Sequence, residues 1–466
     1  MLPLRALGFF GGGAGGGAVR AALWPAAAAY DSATRFRGRS SDTSLMLLQS
    51  VVYSVPSRNA RNMMLLSSSL AACRFASVHA ANTRLAKSPV SMHVPQRGWP
   101  LAARHGRHVD FATMGVRKFL VSVPGTSSNI GPGFDVVGLS LSLYLKLHVT
   151  VDDAAENAAP VLSYTGHGAA DAPLDPYKNL ITRVALYVLR VSKITTFPRG
   201  VSISVENEVP FGRGLGSSGA AVVAGLLLGN ELGQLGISHD RLLDYALMIE
   251  RHPDNVTAAL IGGFVGSYLL ELEGEAAQRA KVPLSEVLPE YPPDAGEMWG
   301  RDPPTPPTGI GHYIRFGWAP EIRVIAIVPH FEVPTAEARR VLPDTYSKRD
   351  LVFNLQRLAV LTTTLGRSPP DASLIFQAMQ DRVHQPYRKH LIPGLPRILS
   401  SVQPSTHPGL LGICLSGAGP TILALACDNL ERIADTICAE FARENITCDV
   451  KFLQVIETGA TVTPVE

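Results

Sequence analysis

From 209 to 220 the chain reads Val209-Pro210-Phe211-Gly212-Arg213-Gly214-Leu215-Gly216-Ser217-Ser218-Gly219-Ala220. Glycine at 212, 214 and 216 lets backbone N–H groups converge on one point without Cβ obstruction. Ser217 and Ser218 then lead into an apolar run, Gly219 to Leu235, that reads as a buried helix. The first N–H groups of such a helix lack partners and carry the positive end of its dipole, so the junction suits a polyphosphate. A hydroxyl at the helix start can also reach a phosphate-bound Mg²⁺. The G-K-[ST] ending of a Walker loop is missing, and no acid is placed for a ribose as in a dinucleotide fold. Taken in isolation, the glycines are equally those of a plain turn.

Three other clusters carry chemistry. Pro124 to Asp135 (Pro-Gly-Thr-Ser-Ser-Asn-Ile-Gly-Pro-Gly-Phe-Asp) packs hydroxyls, an amide and a carboxylate together. Asn129 and Asp135 can hold the amino or hydroxyl group of a small polar ligand, or form an Asx-turn network that only ties the loop. Ile249 to Asn255 (Ile-Glu-Arg-His-Pro-Asp-Asn) places Glu250, His252 and Asn255 at a helix end. There a metal or substrate role competes with a simple interaction between a His cation and the helix dipole. Ser416-Gly417-Ala418-Gly419-Pro420-Thr421 reads as a tight turn between two strands.

The elements that must position these clusters follow from hydropathy patterning. Strands are predicted at Phe119–Val123, Leu139–Val151, Val201–Val205, Ile322–Val328, Leu411–Leu415, Thr421–Ala426 and, ending the chain, Cys448–Val455. Helices are predicted at Asn179–Leu189, Gly219–Leu235, Arg241–Glu250, Thr335–Val341, Leu351–Leu365, Ala372–Gln380 and Leu430–Asn445. Pro124 to Phe134 and Pro210 to Ser218 read as loops. The polar stretch 272–312 has eight prolines between Pro283 and Pro307, so it reads as a surface excursion. The elements alternate without a doubly wound rhythm, which gives an α+β class in two intimately packed lobes.

Composition bounds the rest. The chain has 466 residues, 46% apolar and 17% charged, enough for a large core. No apolar run reaches the ~18 residues that a membrane span needs. Five scattered cysteines, without a CxxC pair or a His cluster, make a zinc site improbable and fit a reducing compartment. Residues 1–115 hold twelve Arg and one Lys against three Asp and no Glu, a net +10, so the other 351 carry −7 of the total +3. A mildly acidic body argues against nucleic-acid binding. Residues 1–114, rich in Ala, Gly, Ser and Arg, form a low-complexity basic extension. It reads as a disordered tail, as upstream sequence before a start at Met114, or as an organellar transit peptide.

The pattern P-x-G-x-G-L-G-S-S-G-A, which begins at Pro210, resembles the ATP-binding motif of the GHMP kinases. That superfamily includes galactokinase, homoserine kinase and the mevalonate-pathway kinases. Residues 124–135 resemble the P-x-S-S-A-N-x-G-x-G-F-D motif of the homoserine kinase family, with Thr126 and Ser128 departing conservatively. Glu250 to Asn255 is similar to its E-G-H-P-D-N motif, with Arg251 where Gly is usual. Residues 416–421 resemble the C-terminal glycine motif. Pro334 to Arg339 resembles a T-x-x-A-R segment, and His384-Gln385-Pro386-Tyr387-Arg388 with Leu391-Ile392-Pro393-Gly394 resembles a P-Y-R-x-x-L-I-P-G segment. The likeness runs from Gly115 to Glu466, and Met248–Gly262 and Leu351–Ala426 look most like the fungal form.

The resemblance implies a two-lobed fold, with a ribosomal-S5-like ATP-binding lobe at 115–320 and a ferredoxin-like lobe at 321–466. It implies ATP on all twelve residues from Val209 and Pro210 through Ala220, Mg²⁺ on Ser218 and Glu250, and a catalytic set of Ser218, Glu250, His252 and Asn255. L-homoserine would lie among Asn129, Asp135, His252, Thr335, Arg339, Arg388, Gly417 and Gly419. The two arginines suit an amino-acid carboxylate, because guanidinium binds it bidentately. Asp254 is read as a loop support and not as a base. The same resemblance implies threonine biosynthesis, a homodimer, and a cytoplasmic location, or a mitochondrial one if the extension is a transit peptide. Competing expectations are another GHMP small-molecule kinase and a non-catalytic ligand-binding paralogue.

Overall fold

The computed structural model describes residues 115–466 apart from 156, 158, 290–299 and 301, so the reading of the basic extension lies outside the described residues. Strands β1 (Val116–Asn129) and β2 (Gly133–Asp152) form one long antiparallel hairpin. The loop expected from Pro124 to Phe134 is thus mostly strand, with only Ile130 to Pro132 turning. Small hydroxyl residues read as a turn, yet Thr126, Ser127 and Ser128 are buried and stay paired with β2 after a register shift at Pro124/Gly125.

Along the far half of β2, Leu145, Leu147, Val149 and Val151 are buried, while Lys146, His148 and Thr150 alternate with them on the more open face. β3 (Val161–Gly166), α1 (Leu180–Val191) and β4 (Val201–Asn207) follow. β4 pairs antiparallel with β2, and β3 runs parallel beside β4. Next come α2 (Ser217–Leu232), α3 (His239–Glu250), α4 (Asp254–Ile261) and β5 (Phe264–Leu269). α4 and β5 were not expected. α2 is buried nearly all round, and its small residues allow close approach. A Cβ at Gly225 would lie 2.4 Å from the Ile181 carbonyl oxygen on α1.

The proline-rich stretch holds α5 (Gly274–Ala280), α6 (Leu284–Val287) and the start of β6 (Gly311–Phe316), which pairs with β5. It is not wholly a surface excursion. Val287 and Leu288, 1% and 6% exposed, plug the core, and Arg183 on α1 donates to the Leu288 carbonyl at 2.6 Å.

β7 (Arg323–Pro329) opens a second sheet. After it come α7 (Thr335–Arg340), α8 (Lys348–Thr364), α9 (Ala372–Ala378), α10 (Gln385–Arg388), α11 (Leu395–Ser401), β8 (Leu410–Leu415), β9 (Ile422–Ala426), α12 (Leu430–Ala442), β10 (Cys448–Leu453) and β11 (Thr461–Pro464). The order is β10-β7-β9-β8, all antiparallel. β7 is apolar at every interior position because both faces are covered. Ile325 and Ile327 meet α11 and α12, whereas Val324, Ala326 and Val328 share a core with β2, α8 and α9. The chain does not finish with β10, since β11 returns to pair with β1 and makes the first sheet seven-stranded. The result is α+β. No helix among the described residues is long and apolar enough to cross a membrane.

Candidate active site

Four loops meet at the N-terminus of α2. Gly212, Gly214 and Gly216 all take positive φ, 62°, 78° and 70°. Gly216 caps α2 in the left-handed region and brings no side chain to its first N–H groups. A Cβ at Gly216 would fall 1.9 Å from Thr126 Oγ1, and one at Gly214 would fall 2.2 Å from the Ser416 carbonyl oxygen. The cradle is therefore pressed against the first and fourth motifs. Phe211 packs edge-on to Tyr164. Arg213 Nε is buried and has no hydrogen-bond partner among the described residues.

The expected ATP set of twelve residues divides in two. Val209, Pro210, Leu215, Gly219 and Ala220 are buried, and Val209 and Leu215 belong to the core under the sheet. Pro210 differs from the glycines in what it can offer. It is buried and has no N–H to offer a phosphate, so it cannot act as a backbone donor. Its fixed φ instead sets the direction in which the chain leaves Val209, whose own N–H bonds Asn207 Oδ1 at 2.9 Å. Pro210 thus supports the loop as a stiff hinge. Phe211, Gly212, Arg213, Gly214, Gly216, Ser217 and Ser218 are partly or fully exposed, and they form the open face of the cradle.

At the start of α2, Ser218 Oγ donates to Glu250 Oε1 at 2.5 Å. Glu250 is the last residue of α3 and is buried. Arg251 ends that helix with φ 65°, and its guanidinium binds the carbonyls of Ala280 and Val282. His252 then lies between two acids, Nδ1 at 2.8 Å from Asp254 Oδ1 and Nε2 at 3.5 Å from Glu250 Oε2. Burial alone would lower the His252 pKa. The hydrogen bond and charge of Asp254, with the charge of Glu250, outweigh it and raise the value to about 9. His252 is a cation at neutral pH. Burial pushes the Asp254 carboxyl up, but the hydrogen bond and charge of His252, with the Ser128 hydroxyl and the Asn255 N–H, hold it below the usual range.

Both ends of the Asn255 amide are engaged within the protein. Its Oδ1 accepts from Thr126 Oγ1 at 2.8 Å, and its Nδ2 donates to Ser128 Oγ at 3.0 Å. Asn255 thus locks the third motif to the first. Ser416 Oγ lies 2.7 Å from Ser127 Oγ and donates to the Gly214 carbonyl at 2.6 Å, which joins the fourth motif to the first two.

Opposite the cradle, Asn129 and Asp135 both sit at positive φ, 73° and 55°, which Asn and Asp tolerate better than other side chains. Asn129 donates to the Gly417 carbonyl at 2.8 Å and accepts the Asp135 N–H at 3.0 Å. Asp135 accepts a bidentate pair from Arg339, at 2.9 and 2.8 Å. The sequence suggested separate ligands, and the structure pairs them. Burial opposes the Arg339 charge, but Asp135 raises its pKa. Thr335 opens α7 one turn before Arg339 and is exposed.

Arg388 is 2% exposed and donates from Nε to the Ala338 carbonyl at 3.2 Å and from Nη1 to the Gly417 carbonyl at 2.9 Å. Burial, then the charge of Arg339, lowers its pKa to about 10. The guanidinium carbons of Arg339 and Arg388 lie 5.6 and 5.4 Å from the centre of the Phe134 ring. Gly419 shapes the glycine turn, its N–H bonding the Ser416 carbonyl at 2.8 Å.

Sequence reasoning passed over Phe134, His384 and Asp381. Phe134 stands inside the quoted first motif. The other two announce themselves as an acid three residues ahead of a His, just before Pro386 at a helix start.

The glycine cradle, the Ser218–Glu250 couple and the Asp135–Arg339 pair are residue types that suit phosphoryl transfer to a small charged acceptor. The comparisons agree with this class. Residues 179–263 match the family described as the GHMP kinases N terminal domain. The homoserine kinase of Saccharomyces cerevisiae is 58% identical over 355 residues, 74% of this chain and 99% of that protein. The homoserine kinase of Candida albicans is 49% identical over 75% of this chain and 99% of its own length. Among solved structures, the homoserine kinase of Cytophaga hutchinsonii matches with a TM-score of 0.57 and 25% identity, covering 76% of this chain and all of that one. The chain belongs to the homoserine kinase family of GHMP kinases, and as a kinase it uses ATP.

Proposed function

We propose that the protein transfers the γ-phosphoryl group of ATP to the hydroxyl of L-homoserine, giving O-phospho-L-homoserine for threonine biosynthesis. One observation carries this reading. Asp135, Arg339 and Arg388 gather around the Phe134 ring, an acid and two guanidiniums that complement the ammonium and carboxylate of an amino acid. An acceptor without an α-amino acid head would bring no ammonium for Asp135 and no carboxylate for the arginines.

The α2 N–H groups and the open face of the loop, Gly212 to Ser218, receive the phosphates. The buried, partnerless Arg213 Nε in that loop fits an anion nearby. The Ser218 hydroxyl and the Glu250 carboxylate, already 2.5 Å apart, fit a hard cation that takes one or two protein oxygens. Mg²⁺ held there would supply charge neutralisation on the phosphates. His252 brings a fixed positive charge beside them. Asp254 is committed to His252 and to the Asn255 N–H, so it supports the loop and takes no proton from the acceptor. Positioning and charge stabilisation supply most of such a reaction's acceleration.

The test is an ADP-release assay with homoserine, mevalonate and galactose in parallel. Homoserine is expected to exceed the others far in kcat/KM. Equal turnover of mevalonate would overturn the assignment.

A further inference from the structure

His384 is fully buried, three residues after Asp381 and four before Arg388. Its Nε2 lies 2.8 Å from the Gly131 carbonyl, which only a donor can satisfy. That leaves Nδ1 as the acceptor, and Arg388 Nη1 donates to it at 3.1 Å. The ring stacks on Phe134 at 5.6 Å and 25°. Asp381 fixes the backbone beneath it, accepting the N–H groups of Val383, His384 and Gln385 at 2.8, 3.1 and 2.7 Å and the Asn354 amide at 2.7 Å. Burial, aided by the Arg388 charge and opposed by Asp381, keeps the imidazole neutral, as an acceptor from a guanidinium must be.

Three acceptors hold Arg388: the carbonyls of Ala338 and Gly417, and His384 Nδ1. No protein group hydrogen-bonds its Nη2 among the described residues. Of the three acceptors, only the imidazole is a side chain.

We propose that His384 is a positioning residue for recognition of the acceptor carboxylate. Anchored to Gly131 through Nε2, it orients Arg388 through Nδ1 and leaves Nη2 for the carboxylate. It also links Arg388 to the turn that leads into Phe134 and Asp135. The inference rests on the reading of Arg388 as a carboxylate ligand.

Three substitutions separate the two ring contacts. His384→Asn keeps an acceptor near the place of Nδ1, His384→Gln keeps a donor near the place of Nε2, and His384→Leu keeps neither. The readout is the ratio of kcat/KM for homoserine to that for 3-amino-1-propanol, which has the same ammonium and hydroxyl but no carboxylate. Losing a hydrogen bond to a charged group compresses that ratio by about tenfold. This loss is expected in the Leu and Gln variants, through homoserine KM, with kcat and the KM for ATP nearly unchanged. The Asn variant should keep most of the wild-type ratio.

A general packing defect would lower both substrates together and leave the ratio alone. An unchanged ratio in the Leu and Gln variants overturns the proposal, as does an equal loss in all three. Arg388→Ala is the control. If it collapses the ratio while His384→Leu does not, only the positioning role fails. If Arg388→Ala leaves the ratio intact, the carboxylate reading fails and the positioning role falls with it.

Discussion

Asp135→Asn tests the ion pair that spans the acceptor site. In the free protein Asp135 and Arg339 satisfy each other through two bonds of 2.9 and 2.8 Å, with side chains 32% and 34% exposed. A pair so open to water contributes only about 1 kcal/mol. A zwitterionic acceptor replaces it with two pairs, ammonium on Asp135 and carboxylate on Arg339. Removing the acid should then act in opposite directions on two ligands. Homoserine loses the partner of its ammonium, which costs about 2 kcal/mol or more, at least about a thirtyfold fall in kcat/KM. 4-Hydroxybutyrate, which is homoserine without the amino group, no longer competes with Asp135 for Arg339. Its KM should improve by about fivefold, the equivalent of the released pair. Steady-state ADP release with both acceptors reads the two changes. If both substrates weaken in the Asn variant by a similar factor, Asp135 does not compete for Arg339, and the swap of one ion pair for two is wrong.

Ser218→Ala and Glu250→Gln should each lower kcat by about tenfold or more, since each removes a contact that strengthens as charge develops; a change confined to KM would contradict that. Arg339→Ala should raise the homoserine KM by about tenfold or more and leave the KM for ATP within about twofold; a raised KM for ATP would move Arg339 to the nucleotide. His252 has a folded-state pKa of about 9 against an ordinary 6.5, so it stabilises the fold fully below pH 6.5 and progressively less as pH rises through about 9. That rise corresponds to at most about 3 kcal/mol, and urea unfolding at pH 6 and pH 10 should show His252→Asn losing most of this dependence. A chain beginning at Met114 should fold and keep full activity, checked by the same ADP-release assay.

The glycine cradle was legible because its chemistry is local. Three glycines, two serines and an apolar helix lie within a dozen residues, and each property follows from its neighbours. The division of that loop was not legible, because the motif spells Pro210 and Gly212 alike while burial sends one inward and leaves the other open. The apolar run of β7 and the alternation of β2 were legible for the same local reason as the cradle. What the sequence concealed was long-range pairing. Asp135 and Arg339 are 204 positions apart, so neither announces that the other will be its partner. Asn255 enters the catalytic set through its match to the E-G-H-P-D-N motif. Its two bonds to Thr126 and Ser128 became visible only once β1 was seen to continue as a strand through those hydroxyls. β11 is short and only partly buried, and its place is set by the free edge of β1, not by its own pattern.

Long-range pairing also fixes the glycines and hydroxyls of the site in place. Ser416 bonds both Ser127 and Gly214, Gly417 receives both Asn129 and Arg388, and Asn255 receives Thr126 while donating to Ser128. Each contact joins two motifs at least 29 residues apart in the chain. Closing such loops costs conformational entropy once, when the fold forms, and the cost grows only slowly with loop length. After that, Ser127, Ser128, Asn129, Asn255 and Ser416 are held by hydrogen bonds already satisfied within the protein, so binding need not order them again. A site built in this way suits the placing of reactants, which is most of what phosphoryl transfer asks of a protein.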